Sequence, residues 1–213
     1  MTQIMTYLSA FGLASGAGAK AFIPILLLGG MHYTGYFELS ERFSWIADPV
    51  VMAVLAVLVV LEVVVDAHPD LGQFADEVAY LPKFAAGFIG FAAVVGTVDE
   101  NLLSLTGSGL LGGSTAVGVH WIRNKIRKPF RIAAEDIHGG FGKVAALTEA
   151  GTSAAVSGSA IIVPPVSLLM MGGIAATALV ASSRIEGRRV PCTHCGEPIR
   201  PTAVVCFHCG SDL

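Results

Sequence analysis

Residues 15–30 read SGAGAKAFIPILLLGG, an apolar stretch interrupted by one lysine and one proline. It lies within a longer apolar run, 6–30, which exceeds the roughly 20 residues needed to cross the hydrocarbon core of a membrane. No basic segment precedes this run, and it continues past the length of a signal-peptide core, so we interpret it as a retained first membrane helix. Lys20 then lies near the middle of that helix, and Pro24 lies one turn beyond it.

The composition of the whole chain is typical of a membrane protein. Of its 213 residues, 54% are hydrophobic and 14% are charged, whereas about 25% are charged in an ordinary globular domain. The mean hydropathy is +0.69. These values exclude disorder, and a net charge of −3 provides no basic field for nucleic acid. We therefore expect an all-α polytopic membrane protein.

Six segments are candidate transmembrane helices, namely 6–30, 49–66, 84–98, 102–120, 143–163 and 166–183. Pro164 and Pro165 predict a hairpin turn between the last two. In an alternative interpretation, 84–118 is a re-entrant hairpin and only four helices cross fully. Residues 157–173, SGSAIIVPPVSLLMMGG, are similar to 15–30, which suggests a bundle built from repeated halves.

Basic residues concentrate in two segments, 123–143 and 184–200. Six crossings put both segments on one side of the membrane, and the positive-inside rule makes that side the cytoplasm. We expect a multi-pass protein of the bacterial cytoplasmic (inner) membrane with both termini in the cytoplasm. The chain then divides into a membrane domain at 1–183, a basic linker at 184–191 and a cysteine-containing tail at 192–213.

Charged residues occur within the predicted helices. A charge at the bilayer centre costs at least about 2.5–3.5 kcal/mol, so Lys20 should face the bundle interior or an aqueous cavity. Pro24 lacks the N–H that would bind the Lys20 carbonyl, which predicts a kinked or broken helix beside the charge, as at the midplane sites of transporters. The candidate transport path comprises Lys20, Pro24 and three acids. Glu62 and Asp66 lie on one face of the second span, and Glu149 lies in the fifth. The alternative is a structural ion pair or a lysine that reaches the membrane interface.

A second polar group follows the second span. Pro69 and Gly72 predict that the helix ends near Ala67. The cytoplasmic acidic cluster that we expect there consists of His68, Asp70, Asp76 and Glu77. Such a group can bind a divalent cation or relay protons, although solvated acids at the interface are the alternative. The sequence contains no recognisable combination of nucleophile and base, so we do not expect an enzyme.

All four cysteines lie in the tail, in the pairs Cys192-Thr-His-Cys195 and Cys206-Phe-His-Cys209, each followed by glycine. Two such pairs, ten residues apart, predict a tetrahedral site for one structural Zn²⁺ ion, whose binding would supply the folding energy of a segment this small. Iron or a redox dithiol is the alternative. Reduced thiolates also agree with a cytoplasmic tail.

Three segments of the chain resemble an uncharacterised family of bacterial integral membrane proteins, catalogued as domain of unknown function forty-one twenty-six. They are GLASGAGAKAFIPILLLGG at 12–30, LEVVVDAHPDLGQFADEVAYLPKFAAGF at 61–88 and HGGFGKVAALTEAGTSAAVS at 138–157. The similarity covers about 5–183, and its matching positions are Lys20, Glu62, Pro69, Asp76, Gly139, Gly140 and Gly142. The resemblance implies a membrane location and no established activity. The tail separately resembles the zinc ribbons attached to many bacterial proteins.

Two functions are compatible with these features. The first is a small transporter or channel for an ion or small polar solute, with a cytoplasmic zinc-binding tail. The second is a membrane-anchored scaffold or sensor whose zinc ribbon recruits a protein partner. Besides the lipid bilayer, we expect association of several copies through glycine-rich helix faces, for example the GxxxG pairs at 12–16 and 109–113.

Overall fold

The computed structural model describes residues 3–68, 76–99, 101–134, 141–186, 190–199, 205–206 and 208–212. Asp70 and the glycine-rich segment 139–140 lie outside these residues. Helices make up most of the described chain: α1 (Gln3–Ala19), α2 (Phe22–Tyr33), α3 (Pro49–Ala67), α4 (Tyr80–Val95), α5 (Leu102–Ala134), α6 (Phe141–Ile162) and α7 (Pro164–Glu186), with a 3-10 helix at Glu41–Ala47 before α3.

The ends of several helices follow from local sequence. The Asp48 carboxylate caps α3 by accepting hydrogen bonds from the N–H groups of Val50 at 2.8 Å and Val51 at 3.3 Å, and Pro49 occupies the first turn. The helix ends at Ala67, as predicted. The predicted turn between the last two helices is also present, because α6 ends at Ile162 and α7 begins at Pro164.

Helix α1 lies at the centre of the bundle and packs against α4, α5, α6 and α7. Small side chains make this packing possible. A Cβ atom added to Gly12 would lie 2.6 Å from the Ala160 Cβ atom, and one added to Gly18 would lie 2.6 Å from the Ala116 carbonyl oxygen. Close contact between backbones therefore holds α1 among its neighbours.

Two helices of the described chain are long and apolar enough to cross a membrane, Pro49–Ala67 and Leu102–Lys125. Most side chains of α3 point outward, since only 11% of this apolar segment is buried in the bundle. The first predicted span is divided between α1 and α2, of 17 and 12 residues, and α4 has 16 residues. Each of these is shorter than the roughly 20 residues of a straight crossing, so the six-span topology stays a prediction.

The tail contains two short antiparallel strands, β1 (Val190–Pro191) and β2 (Pro198–Ile199), with Val190 opposite Ile199. Cys192, Ile199 and Cys206 form a small buried cluster. A cluster this small cannot stabilise a domain by apolar burial alone, which is why the cysteines matter for its folding.

Candidate functional site

The first apolar run is broken at Lys20 and Ala21, between the end of α1 and the start of α2. The Lys20 N–H still donates to the Gly16 carbonyl at 3.0 Å, but the following residues leave the helix. Pro24 lies in the first turn of α2, where a missing N–H costs little. The helix is therefore interrupted where the sequence predicts it, beside Lys20 and one turn before Pro24.

Charged side chains bind both helix ends at this break. The Lys83 ammonium donates to the carbonyl oxygens of Gly18 at 3.0 Å and Ala19 at 2.7 Å. The Ala21 N–H donates to Glu62 Oε1 at 3.0 Å. A helix carries partial negative charge at its C-terminus and partial positive charge at its N-terminus, so each end of the break contacts a side chain of opposite charge.

Lys20 itself forms an ion pair with Asp66 of α3. The lysine side chain is fully buried and that of Asp66 is 8% exposed. A buried ammonium needs a nearby acid because the energy of removing it from water is large. The ion pair thus joins the break between α1 and α2 to the last turn of α3.

Arg123 of α5 contacts three carboxylates from three different parts of the chain. Its guanidinium lies 2.9 Å from Asp66 Oδ2 and 3.1 Å from Asp76 Oδ1, and it also forms an ion pair with Glu149 of α6. The planar guanidinium group can donate several hydrogen bonds at once, which suits this position. Arg123 therefore connects Lys20 and Asp66 to acids that are partly exposed.

His120 lies one helical turn before Arg123 and is fully buried. Its Nε2 atom is 2.9 Å from the Asp76 carbonyl oxygen, so we assign a proton to that nitrogen. The Tyr80 ring packs edge-on against it, with 4.7 Å between ring centres. Trp121, the next residue, is exposed.

Four of the predicted path residues thus meet in one network, Lys20, Glu62, Asp66 and Glu149. The predicted acidic cluster is divided: Asp76 joins the network, whereas His68 and Glu77 are exposed. No motif in the sequence marks Lys83 or Arg123 as part of this network. Both lie close to the predicted cytoplasmic boundary, where basic residues normally serve topology, so only their three-dimensional contacts reveal them.

The four cysteines form the second candidate site. The sulfur atoms of Cys192 and Cys209 are 3.9 Å apart, and those of Cys195 and Cys206 are 3.7 Å apart. Four sulfurs placed tetrahedrally around Zn²⁺ at about 2.3 Å would be about 3.8 Å from one another. All four ligand atoms lie within 4.8 Å of each other, and the cysteines are free thiols rather than disulfides. Their spacing therefore fits a zinc ion.

Two similar turns position these sulfurs. The N–H of Gly196 donates to the Cys192 carbonyl at 3.0 Å, and that of Gly210 donates to the Cys206 carbonyl at 2.7 Å. Both glycines have positive φ angles, 76° and 70°, which residues with a Cβ atom rarely adopt. Hydrogen bonds from the backbone N–H groups of Cys195 and His194 lower the pKa of the Cys192 thiol to about 6. The turn therefore favours the thiolate at Cys192.

Family models match both parts of the chain. Residues 7–184 match a domain of unknown function (DUF4126), and residues 192–213 match a zinc-ribbon domain. Neither a curated protein nor a solved structure gives a significant match. The first model spans most of the chain and includes the helix break and every residue of the charged network, and the second includes all four cysteines. The chain therefore belongs to the DUF4126 family and ends in a zinc-ribbon domain.

Proposed function

We propose that the helical domain is a small transporter or channel for an ion or a small polar solute. The observation that supports this proposal most strongly is the buried charged network at the break between α1 and α2. Discontinuous helices with charged partners at their ends are a recurrent feature of solute sites in membrane transporters. In this chain the break, the charges and the acids of two further helices occur together.

The energetics of the network favour a functional role. Lys20 and Lys83 are 0% and 2% exposed, and Arg123 is 10% exposed. Replacing buried ion pairs by apolar residues of similar size is often neutral or stabilising in proteins. A bundle that served only as an anchor could therefore be built from apolar side chains, whereas a transport path needs charged groups inside the bilayer.

The network also suggests how a solute would move. Glu149 is 23% exposed and Asp76 is 15% exposed, whereas Lys20 beyond them is fully buried. Arg123 lies between these acids and Asp66. The conformation is then an occluded one, in which separation of Arg123 from its acids would open the route to Lys20. Such a change is a small rearrangement of packed helices.

The same proposal includes the arrangement in the membrane. Six crossings of the bacterial inner membrane, with both termini in the cytoplasm, put the basic segments 123–143 and 184–200 on the cytoplasmic side. The ribbon then lies in a reducing compartment and holds one structural Zn²⁺ through Cys192, Cys195, Cys206 and Cys209. With four cysteine ligands, the ion has no open position for catalysis.

Flux into proteoliposomes tests the proposal. The purified full-length chain is reconstituted and offered a panel of monovalent cations, divalent cations, inorganic anions and small zwitterions. We expect wild-type flux of at least one solute, and loss of that flux in Lys20→Ala and Glu62→Gln. Lys143→Ala and Glu41→Gln remove the same charges at exposed positions and should retain it. No wild-type flux across the panel would contradict transport.

The alternative function is a membrane-anchored scaffold or sensor whose zinc ribbon recruits a protein partner. One observation favours it: Lys20 is fully buried against Asp66, as expected of a pair that only stabilises the bundle. Under this alternative the protein conducts no solute. Specific capture of one protein partner would then depend on the ribbon and be lost when its cysteines are replaced by serine.

A further inference from the structure

The ammonium group of Lys83 occupies a position where proteins bind free cations. It contacts two consecutive backbone carbonyls in the last turn of α1, those of Gly18 and Ala19. Because α1 ends there, the N–H groups of the next turn are not available to these carbonyls. Carbonyls at the end of an interrupted helix are ligands for monovalent cations in membrane transporters.

The surrounding charges reinforce this comparison. Lys83 Nζ lies 3.9 Å from Glu62 Oε1, so a carboxylate is within ion-pair distance of the ammonium that binds the two carbonyls. The helix end adds the equivalent of roughly half a negative charge. The adjacent Asp66 is already paired with Lys20 and Arg123. Removing the Lys83 charge would therefore leave Glu62 and the end of α1 without a compensating cation.

We propose that the end of α1 is a monovalent-cation site whose resident cation is the tethered ammonium of Lys83. The ligands are the carbonyl oxygens of Gly18 and Ala19 together with the Glu62 carboxylate. Because the lysine fills the site, the wild-type fold does not depend on Na⁺, K⁺ or ammonium in solution. Without the lysine side chain, a small free cation takes its place. This inference stands whether or not the protein transports a solute.

Thermal melting of the full-length chain in detergent tests this site. Wild type and Lys83→Ala are melted in the chlorides of ammonium, methylammonium, sodium, potassium and choline at one ionic strength. Choline is too large for a site formed by two adjacent carbonyls and serves as the reference. We expect the same wild-type Tm in all five salts. For Lys83→Ala we expect a lower Tm in choline and a saturable increase of about 3–10 °C with at least one smaller cation.

Three further variants make the result specific. Lys143→Ala removes a lysine from an exposed position and should show no preference among the salts. Lys83→Met fills the space with an apolar side chain and should also show none. Adding Glu62→Gln to Lys83→Ala removes the carboxylate and should weaken the response.

Two outcomes would overturn the proposal. One is a folded Lys83→Ala chain with the same Tm in all five salts. The other is failure of that variant to fold even in ammonium or methylammonium, since either cation should replace the lost group. Because melting requires no flux, a negative transport assay would leave this test unaffected.

Discussion

The three buried cations of the network are stabilised in different ways. Lys20 is paired with one carboxylate, Lys83 binds two backbone carbonyls, and Arg123 contacts three acids. A lysine ammonium is a compact charge, whereas guanidinium presents several donors in one plane. Each side chain therefore matches the number and arrangement of its acceptors.

Arg123→Ala tests the importance of its three contacts. The change leaves Asp66, Asp76 and Glu149 without that cation, and breaking a buried ion pair costs about 3–5 kcal/mol. We expect a decrease in Tm of about 10 °C or more in detergent. Arg42→Ala removes an exposed arginine and should change Tm little. Equal Tm values for the two variants would mean that the contacts of Arg123 add no stability.

Zinc binding by the ribbon should depend on pH in a defined direction. The pKa of Cys192 is lowered to about 6 by the N–H groups of Cys195 and His194. A lowered thiol pKa favours the thiolate, and because zinc binds thiolates, protons displace the metal as the pH falls. We expect one zinc per chain at pH 7.5 and progressive loss in acid, measured with a chromophoric chelator.

The Cys206→Ser variant provides the matching control at constant pH. It removes one of the four ligands and should lower zinc content at pH 7.5 as well. Unchanged zinc in this variant, or two disulfides in a metal-free folded tail, would contradict the four-cysteine site.

At the scale of elements, local sequence accounts for where helices begin and end. Pro69 and Gly72 predict the end of α3 at Ala67, and Pro164 predicts the turn before α7. The interruption of the first span also follows from its lysine, glycines and proline. The side chains that bind the helix ends at this break cannot be predicted from local sequence. Lys83, for example, lies 64 and 65 residues from its two carbonyl acceptors. Only tertiary packing brings such distant positions together.

Paired glycine substitutions test the packing of α1. A Cβ atom at Gly18 would lie 2.6 Å from a backbone carbonyl of α5, whereas one at Gly118 would meet nothing within 4 Å. Gly18→Ala should therefore lower Tm, because backbone must shift to admit the methyl group. Gly118→Ala should leave Tm unchanged or raise it, since alanine favours a helix by about 0.5–1 kcal/mol. The opposite order of Tm values would refute this packing of α1 and α5.

At the scale of the whole molecule, the central prediction is the membrane topology. Two described helices have the length and composition of membrane spans, and the shorter helices need support from the rest of the bundle to cross. Composition and basic residues predict six crossings, but they cannot predict that the first predicted span is divided between α1 and α2. In the six-span topology, reporter fusions after 68, 140 and 186 should report a cytoplasmic location, and a fusion after 99 should report a periplasmic one. A periplasmic C-terminus would contradict both the orientation and the zinc site.

Water access to the helix break is the most direct test of the transport proposal. Ser153 is fully buried, and its hydroxyl donates to the Gly16 carbonyl at 2.9 Å, beside Lys20. Ser153→Cys, in a chain whose four tail cysteines are serine, places a single thiol there with little change in size. A transport path opens on microseconds to seconds, so a small membrane-impermeant thiol reagent should modify this cysteine within minutes. If Ser44→Cys at the exposed 3-10 helix reacts while the thiol at 153 stays unmodified for hours, the network is a dry structural core and the transport proposal is wrong.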